Sequence, residues 1–241
     1  MDAIVTDKIL KRFKGINVLD ELSLSVKEGE IFGIVGRSGC GKTTLLKVLI
    51  GMLNYDLGTL SFNGERIHTF NKNLLKENIG FSSQENMLYD ELTLSENIRY
   101  YGKLYGIKNN VIKSNANQLL KLFELENFKN SLLRTFSGGM KKRANILVSL
   151  IHNPKVLILD EPTAGLDPIL RENIWYYIKQ INKIDKTIIV TSHLLEELQD
   201  NCTTIAFMDK GKIAGVINTK DKKIFAKKSL NEIFKEWMEN G

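Results

Sequence analysis

Residues 36–43 read Gly36-Arg37-Ser38-Gly39-Cys40-Gly41-Lys42-Thr43, an instance of G-x-x-x-x-G-K-[ST], and no other stretch constrains the fold so tightly. Ile31, Phe32, Gly33, Ile34 and Val35 precede it as a continuous apolar run, the pattern of a strand buried on both faces. Residues 43–53 after it read as a helix. Strand, Gly-rich loop and helix form the context this motif requires. Glycines let the backbone wrap a phosphate with its N–H groups turned inward, and the helix N-terminus adds a favourable dipole. Lys42 is placed to reach the β- and γ-phosphates of a nucleotide, and the Thr43 hydroxyl to bind Mg²⁺.

A second apolar run, Val156-Leu157-Ile158-Leu159, ends in Asp160 and Glu161. At a strand end beside a phosphate loop, Asp160 is the expected Mg²⁺ carboxylate and Glu161 the expected base that orients and deprotonates a water. On its own an Asp-Glu pair at a strand end is commonly just solvated; the phosphate loop in the same chain gives this one its chemistry.

Strands and helices alternate through much of the chain. Leu22, Leu24 and Val26 alternate with Ser23, Ser25 and Lys27, a half-buried strand closed by a turn at Glu28-Gly29. Residues 59–67 read as a hairpin around Asn63-Gly64. From residue 92 to 151 the period turns helical, opening with the capping box Thr93-Leu94-Ser95-Glu96 and continuing through Ile98, Tyr101, Leu104 and Tyr105. Strands return at 156–159, 187–191 and 204–208, separated by helices near 169–181 and 194–200. The expected fold class is α/β, a P-loop NTPase core with a mainly parallel sheet, an N-terminal antiparallel β subdomain and an α-helical insert. Residues 1–84 and 152–220 are assigned to the α/β core with its β subdomain, 85–151 to the helical subdomain and 221–241 to a tail ending in a short amphipathic helix at 230–238.

Composition narrows the function classes. The 241 residues are 43% hydrophobic and 26% charged, enough apolar content for a sizeable core. The formal charge of +6 and pI near 9.1 come mostly from dispersed lysines. Without a clustered basic stripe the expectation is no nucleic-acid partner. Cys40 and Cys202 belong to no Cys/His pattern, which argues against a zinc site or a disulfide framework and fits a reducing cytosol. Nothing at the N-terminus reads as a signal peptide, and no apolar run approaches the ~20 residues that cross a bilayer, so attachment to a membrane would need a partner. Cys40, in the phosphate loop near a helix N-terminus, is expected to have a lowered thiol pKa, and its alkylation is expected to block turnover unless bound nucleotide protects it.

Between these stretches lies Phe136-Ser137-Gly138-Gly139-Met140, followed by an apolar helical pattern with Lys141, Lys142 and Arg143 in its first turn. Cations there oppose the helix dipole unless an anion binds at the helix start; the plain alternative is that all three extend into water. With these residues the chain resembles the ATPase subunits of ATP-binding-cassette (ABC) transporters over essentially its full length. Gly80-Phe81-Ser82-Ser83-Gln84 looks like the family's Q-loop, Ser137-Gly138-Gly139 its signature, Ala164-Gly165-Leu166-Asp167 its D-loop, and His193 in Thr191-Ser192-His193 its switch histidine. Phe13 stands where the family has an aromatic that stacks on adenine, with Val18 beside it.

The resemblance implies an ATPase that closes head to tail with a second ABC subunit, identical or closely related, around two ATP molecules. It places ATP against Phe13, Val18, Gly36, Arg37, Ser38, Gly39, Cys40, Gly41, Lys42, Thr43, Thr44 and Gln84, with Ser137, Gly138, Gly139 and Asp167 serving across the dimer. Mg²⁺ falls to Thr43, Gln84 and Asp160, and hydrolysis to Glu161, His193 and Lys42. It also implies a separate integral membrane permease and a peripheral place on the cytoplasmic face of the cell membrane. Tyr89, Tyr100 and Tyr101 are the expected docking contacts, the alternative being that these rings pack the helical insert.

Phe136 and Met140 replace the Leu and Gln of many relatives, and Gly165 replaces Ala. Gly138-Gly139-Met140-Lys141-Lys142-Arg143, Leu104-Tyr105-Gly106 and the stretch 92–98 resemble the ABC-2 type, usually exporters. The same signature region also resembles the cytosolic ATPase of iron–sulfur assembly, which transports nothing. A non-enzymatic regulator would need a lost catalytic group, whereas Lys42, Asp160, Glu161 and His193 are all present.

Overall fold

Apolar residues on opposite faces of the same strands build two cores. In the computed structural model, which describes residues 1–68, 71–221 and 228–239, the twelve-residue strands β1 (Asp2–Phe13) and β2 (Ile16–Lys27) pair antiparallel. They precede β3 (Ile31–Gly36) and α1 (Lys42–Leu49). Next come β4 (Leu57–Phe62), β5 (Glu65–Arg66), α2 (Asn73–Asn78) and β6 (Ile79–Ser82). Helices α3 (Leu94–Leu104), α4 (Asn109–Leu122) and α5 (Gly138–Ser149), with two short 3₁₀ turns, fill the interval to β7 (Val156–Asp160). The chain continues through α6 (Pro168–Asn182), β8 (Thr187–Ser192), α7 (Leu195–Asn201), β9 (Thr204–Asp209), β10 (Lys212–Asn218) and α8 (Leu230–Glu239).

One sheet is antiparallel, ordered β2-β1-β4-β5; the other is ordered β10-β9-β3-β8-β7-β6 and is parallel except for β10. On the larger sheet Phe32, Ile34, Ile158, Ile189 and Met208 face a core shared with α1 and the antiparallel sheet. Their neighbours Ile31, Val35, Leu157, Leu159, Ile188, Val190 and Phe207 face a second core with the helices between β6 and β7 and with α6 and α8. Burial on both faces is why these strands read as unbroken apolar runs.

The hairpin turn Asn63-Gly64 has φ of +47° and +79°, the doubly positive pattern that Asn-Gly supplies in a two-residue β-turn. The capping box at Thr93 forms in full: the Glu96 N–H donates to the Thr93 hydroxyl and the Thr93 N–H to the Glu96 carboxylate. The α1 helix ends at Leu49 rather than residue 53, because Gly51 turns the chain at φ +74°. Within the tail, α8 covers the predicted helix and seats Phe234 and Trp237 against Phe207, while residues 222–227 and 240–241 lie outside the described residues. Gly215 admits that tail, since a Cβ there would stand 2.2 Å from the Trp237 ring.

Candidate active site

The carboxyl ends of β3, β8 and β7, adjacent in that order, supply the phosphate loop, Thr191 to His193, and Asp160 to Glu161. Strand carboxyl ends are where parallel sheets bind ligands. The loop is held from behind. The Gly211 N–H donates to the Cys40 carbonyl at 3.0 Å, and the Cys40 N–H to the Arg37 carbonyl at 3.2 Å. A Cβ at Gly36 would lie 2.2 Å from the Met208 carbonyl oxygen, so only glycine lets the loop leave the sheet here. Gly41 enters α1 at φ +109° and ψ 5°.

No side chain caps α1 and no acid lies in its first turn. Its leading N–H groups are therefore oriented into the loop with the helix dipole behind them, a site for an anion. Lys42, buried, curls back so that its ammonium donates to the Gly36 and Arg37 carbonyls at 2.8 and 3.2 Å. A cavity of about 230 Å³ opens here, lined by Val18, Ser38, Gly39, Gly41, Lys42, Thr43, Thr44, Gln84 and Glu161.

Asp160, 4% exposed, is fixed from two sides. Its Oδ2 accepts from the Thr43 hydroxyl at 3.1 Å and its Oδ1 from the Thr191 hydroxyl at 2.6 Å. The Thr191 oxygen also accepts from the Glu161 N–H at 3.0 Å. Thr191 thus ties both carboxylate residues to β8, a role with no local sequence signal beyond its place two residues before His193. Glu161 takes φ +46°, a left-handed conformation rarely adopted by a non-glycine residue, which turns it off the strand toward the cavity. His193 Nδ1 stands 3.4 Å from Glu161 Oε2.

A divalent cation fits this donor set. Among the described residues no group of three or more His, Cys, Asp or Glu could hold a metal. The Thr43 hydroxyl and Asp160 carboxylate, already 3.1 Å apart, are two hard oxygen donors at the rim of a phosphate loop, the pattern of Mg²⁺ that takes its other ligands from phosphate and water. Gln84 borders the same cavity.

Other predicted residues stand elsewhere. Phe13 is 44% exposed at the tip of β1 with the Lys11 ammonium 5.4 Å from its ring centre, and it does not line the cavity. Ser137 caps α5, its hydroxyl accepting from the Met140 N–H at 3.3 Å; Ser137 and Gly138 are exposed and outside the cavity. Gly139 is buried, with Leu170 at 3.1 Å from where a Cβ would be. Asp167 caps α6, accepting from the Leu170 N–H at 3.0 Å, with Pro168 following at the first helical position. Gly165 adopts φ +75°, which suits glycine better than the alanine of many relatives.

One expectation is corrected, and one alternative is set aside. Cys40 is only 7% exposed, and burial pushes its thiol pKa up, with the Lys42 ammonium offsetting part of the rise. Its side chain lies under Gly36, with Sγ 2.7 Å from where a Cβ would stand, so it is no activated thiol. The three cations of α5 do not extend into water. Lys141 pairs with Asp90 at 2.8 Å, the Lys142 ammonium donates to the Gln84 carbonyl at 2.8 Å, and Arg143 donates to the Phe123 carbonyl at 3.0 Å. Burial lowers the Lys142 pKa, and the charges of Asp160 and Glu161 oppose that shift.

The ABC transporter family profile matches residues 19–164. The chain belongs to the ABC transporter family. The chain is therefore an ATP-hydrolysing cassette, and the fold agrees. The ATP-binding subunit of an ABC transporter superimposes with a TM-score of 0.85 at 26% identity, over 98% of this chain and 99% of that one. A dimeric ATP-binding cassette in a post-hydrolysis state, bound to ADP and Pi, superimposes with a TM-score of 0.80 at 26% identity over 90% of this chain and 99% of that one.

Among curated relatives, the linearmycin resistance ATP-binding protein LnrL of Bacillus subtilis is 36% identical over 210 residues, 87% of this chain and 67% of LnrL. A Nod factor export ATP-binding protein I of Ralstonia nicotianae is 37% identical over 202 residues, 84% of this chain and 63% of that protein. The match to the cassette thus spans about two thirds of these relatives' length.

Proposed function

We propose that this cassette hydrolyses Mg-ATP in a site completed by a second cassette, and that it drives export through a separate membrane-spanning subunit from the cytoplasmic face. The observation that carries the shared site is the placing of the signature. Ser137 and Gly138 are exposed at the start of the twelve-residue helix α5, outside the cavity of their own chain's phosphate loop. Helix N-termini bind anions, so Ser137, Gly138 and Gly139 are available to the γ-phosphate held by a partner. A dimeric relative with ADP and Pi supports the same arrangement.

Within one chain, the N–H groups of the loop and of the α1 N-terminus bind the phosphates, and Lys42 exchanges its two carbonyl partners for phosphate oxygens. Bound Mg²⁺ would supply charge neutralisation at the phosphates and would be held by Thr43 and Asp160, with Gln84 alongside. The Glu161 carboxylate orients the attacking water and accepts its proton. His193 holds the γ-phosphate while its ring stays against Glu161. Phe13 stacks on adenine beside Val18; its exposed ring is free to do so.

The relatives named for export and for resistance favour export. No helix among the described residues is long and apolar enough to cross a membrane. Driving export through a separate subunit calls for a docking surface. Tyr89 and Tyr100, 47% and 40% exposed, meet edge to face at 5.0 Å beside Tyr101, whose hydroxyl donates to the Met87 carbonyl. This aromatic patch lies next to the Gln84 segment and suits an apolar helix of the permease. The test is a pull-down of tagged Glu161→Gln protein with ATP from detergent-solubilised native membranes. An integral membrane protein recovered in near-equal amount is expected. Recovery of soluble partners alone would overturn the transport reading in favour of a cytosolic assembly ATPase.

A further inference from the structure

One half-buried carboxylate outside the site joins three of the segments around it. Glu197, on α7, lies four residues after His193, and its side chain is 14% exposed. Its Oε2 accepts from the Thr163 hydroxyl at 2.7 Å and from the Trp175 indole N–H at 3.3 Å. Thr163 is two residues beyond Glu161, and Trp175 lies on α6, which the D-loop starts. Its Oε1 is buried without a hydrogen bond, and the Arg171 guanidinium stands 3.6 Å away. Arg171 in turn donates through Nε to the Leu166 carbonyl, inside the D-loop, at 2.8 Å.

Withdrawing a carboxylate from water costs free energy unless charge and hydrogen bonds compensate, and here Thr163, Trp175 and the nearby Arg171 guanidinium supply that compensation. A purely structural account would place such a group anywhere in the fold. This one connects the segment after Glu161, the segment after His193 and the D-loop that ends at Asp167. We propose that Glu197, with Arg171, is a positioning residue: it makes the D-loop and the His193 segment move as one body. A partner closing on the D-loop thereby sets the Glu161–His193 contact for hydrolysis. This rests on the shared-site reading above.

Glu197→Gln keeps an acceptor oxygen for Thr163 and Trp175 but removes the charge that Arg171 faces. Arg171→Met removes the other half at a side chain that is 35% exposed, so it tests the proposal even if the Glu197 variant folds poorly. Both are to be measured for ATP affinity of the monomer, for kcat and KM, and for the Hill coefficient in ATP, with Glu161→Gln as control. The proposal predicts roughly tenfold lower kcat, monomer affinity for ATP within about twofold of wild type, and a Hill coefficient falling toward one. The double variant should be no worse than either single one, because both break the same link. Wild-type kcat and Hill coefficient in Arg171→Met and Glu197→Gln, beside an inactive Glu161→Gln, would overturn the proposal and leave the site reading intact. Turnover by Glu161→Gln would overturn the site reading itself, and the proposal with it.

Discussion

Replacing Thr191 by Val keeps the shape of a fully buried side chain and removes only its hydroxyl. That hydroxyl donates to Asp160 at 2.6 Å and accepts from the Glu161 N–H at 3.0 Å. A hydrogen bond to a charged group contributes about 1.5–3 kcal/mol, and an amide N–H left without its partner costs about 1–3 kcal/mol. The new methyl recovers about 0.8 kcal/mol by burial, and the two losses share one atom, so the net destabilisation is about 3 kcal/mol. For a chain of this size that is a fall of roughly 6–12 °C in Tm. Freed from Thr191, Asp160 and Glu161 lose their fixed geometry, and misplacement on the scale of an ångström lowers turnover by roughly tenfold or more. Thermal unfolding followed by Trp fluorescence reads the first effect and phosphate release the second. Thr191→Ser keeps the hydroxyl and should retain most turnover while losing about 1 kcal/mol for the buried methyl. If Thr191→Val unfolded within about 2 °C of wild type and turned over normally, the bridging role assigned to Thr191 would be refuted.

His152 gives a pH dependence with a definite sign. Burial pushes its pKa down to about 4, with its Nε2 3.1 Å from the Ile79 carbonyl and its ring stacked on Tyr105 at 3.7 Å. The unfolded chain takes up a proton below about pH 6.5 while the folded one does not, so its stability contribution is complete above that value and is lost as pH falls toward 4. Urea unfolding should show about 2 kcal/mol less stability at pH 5 than at pH 7 from this group, and His152→Gln should flatten that slope; an unchanged slope would contradict the assignment. Cys40, whose thiol is pushed up by burial, should react with a maleimide more than about tenfold slower in the folded protein than in urea at neutral pH, and rapid labelling of native protein would show the thiol to be accessible after all.

Much of the fold could be read from strands whose two faces are both buried. Residues 31–35, 156–159, 187–191 and 204–208 appear as apolar runs because each faces a core on either side. β1 was harder to see: Lys8 takes φ +47° and the register slips between Thr6 and Ile9, so its alternation breaks mid-strand. Among the described residues β10 pairs only with β9; it exposes alternate residues, and its Gly215 serves Trp237 rather than the strand pattern. The chemistry of the phosphate loop was legible because glycine spacing and Lys42 state it locally. The partners of Lys141, Lys142 and Arg143 were not, since Asp90, Gln84 and Phe123 come to them through the tertiary fold. The same holds for Cys40: a helix N-terminus suggests an acidic thiol, and only packing shows the burial that reverses the shift.

The most direct test of the central claim is the association state of Glu161→Gln with and without millimolar ATP, by sedimentation velocity, alongside its turnover. Loss of the base should stop hydrolysis and leave binding intact, so the variant should sediment as a stable dimer with ATP and as a monomer without it. A variant that binds ATP yet stays monomeric, while the wild type hydrolyses normally, would contradict a site shared between two cassettes.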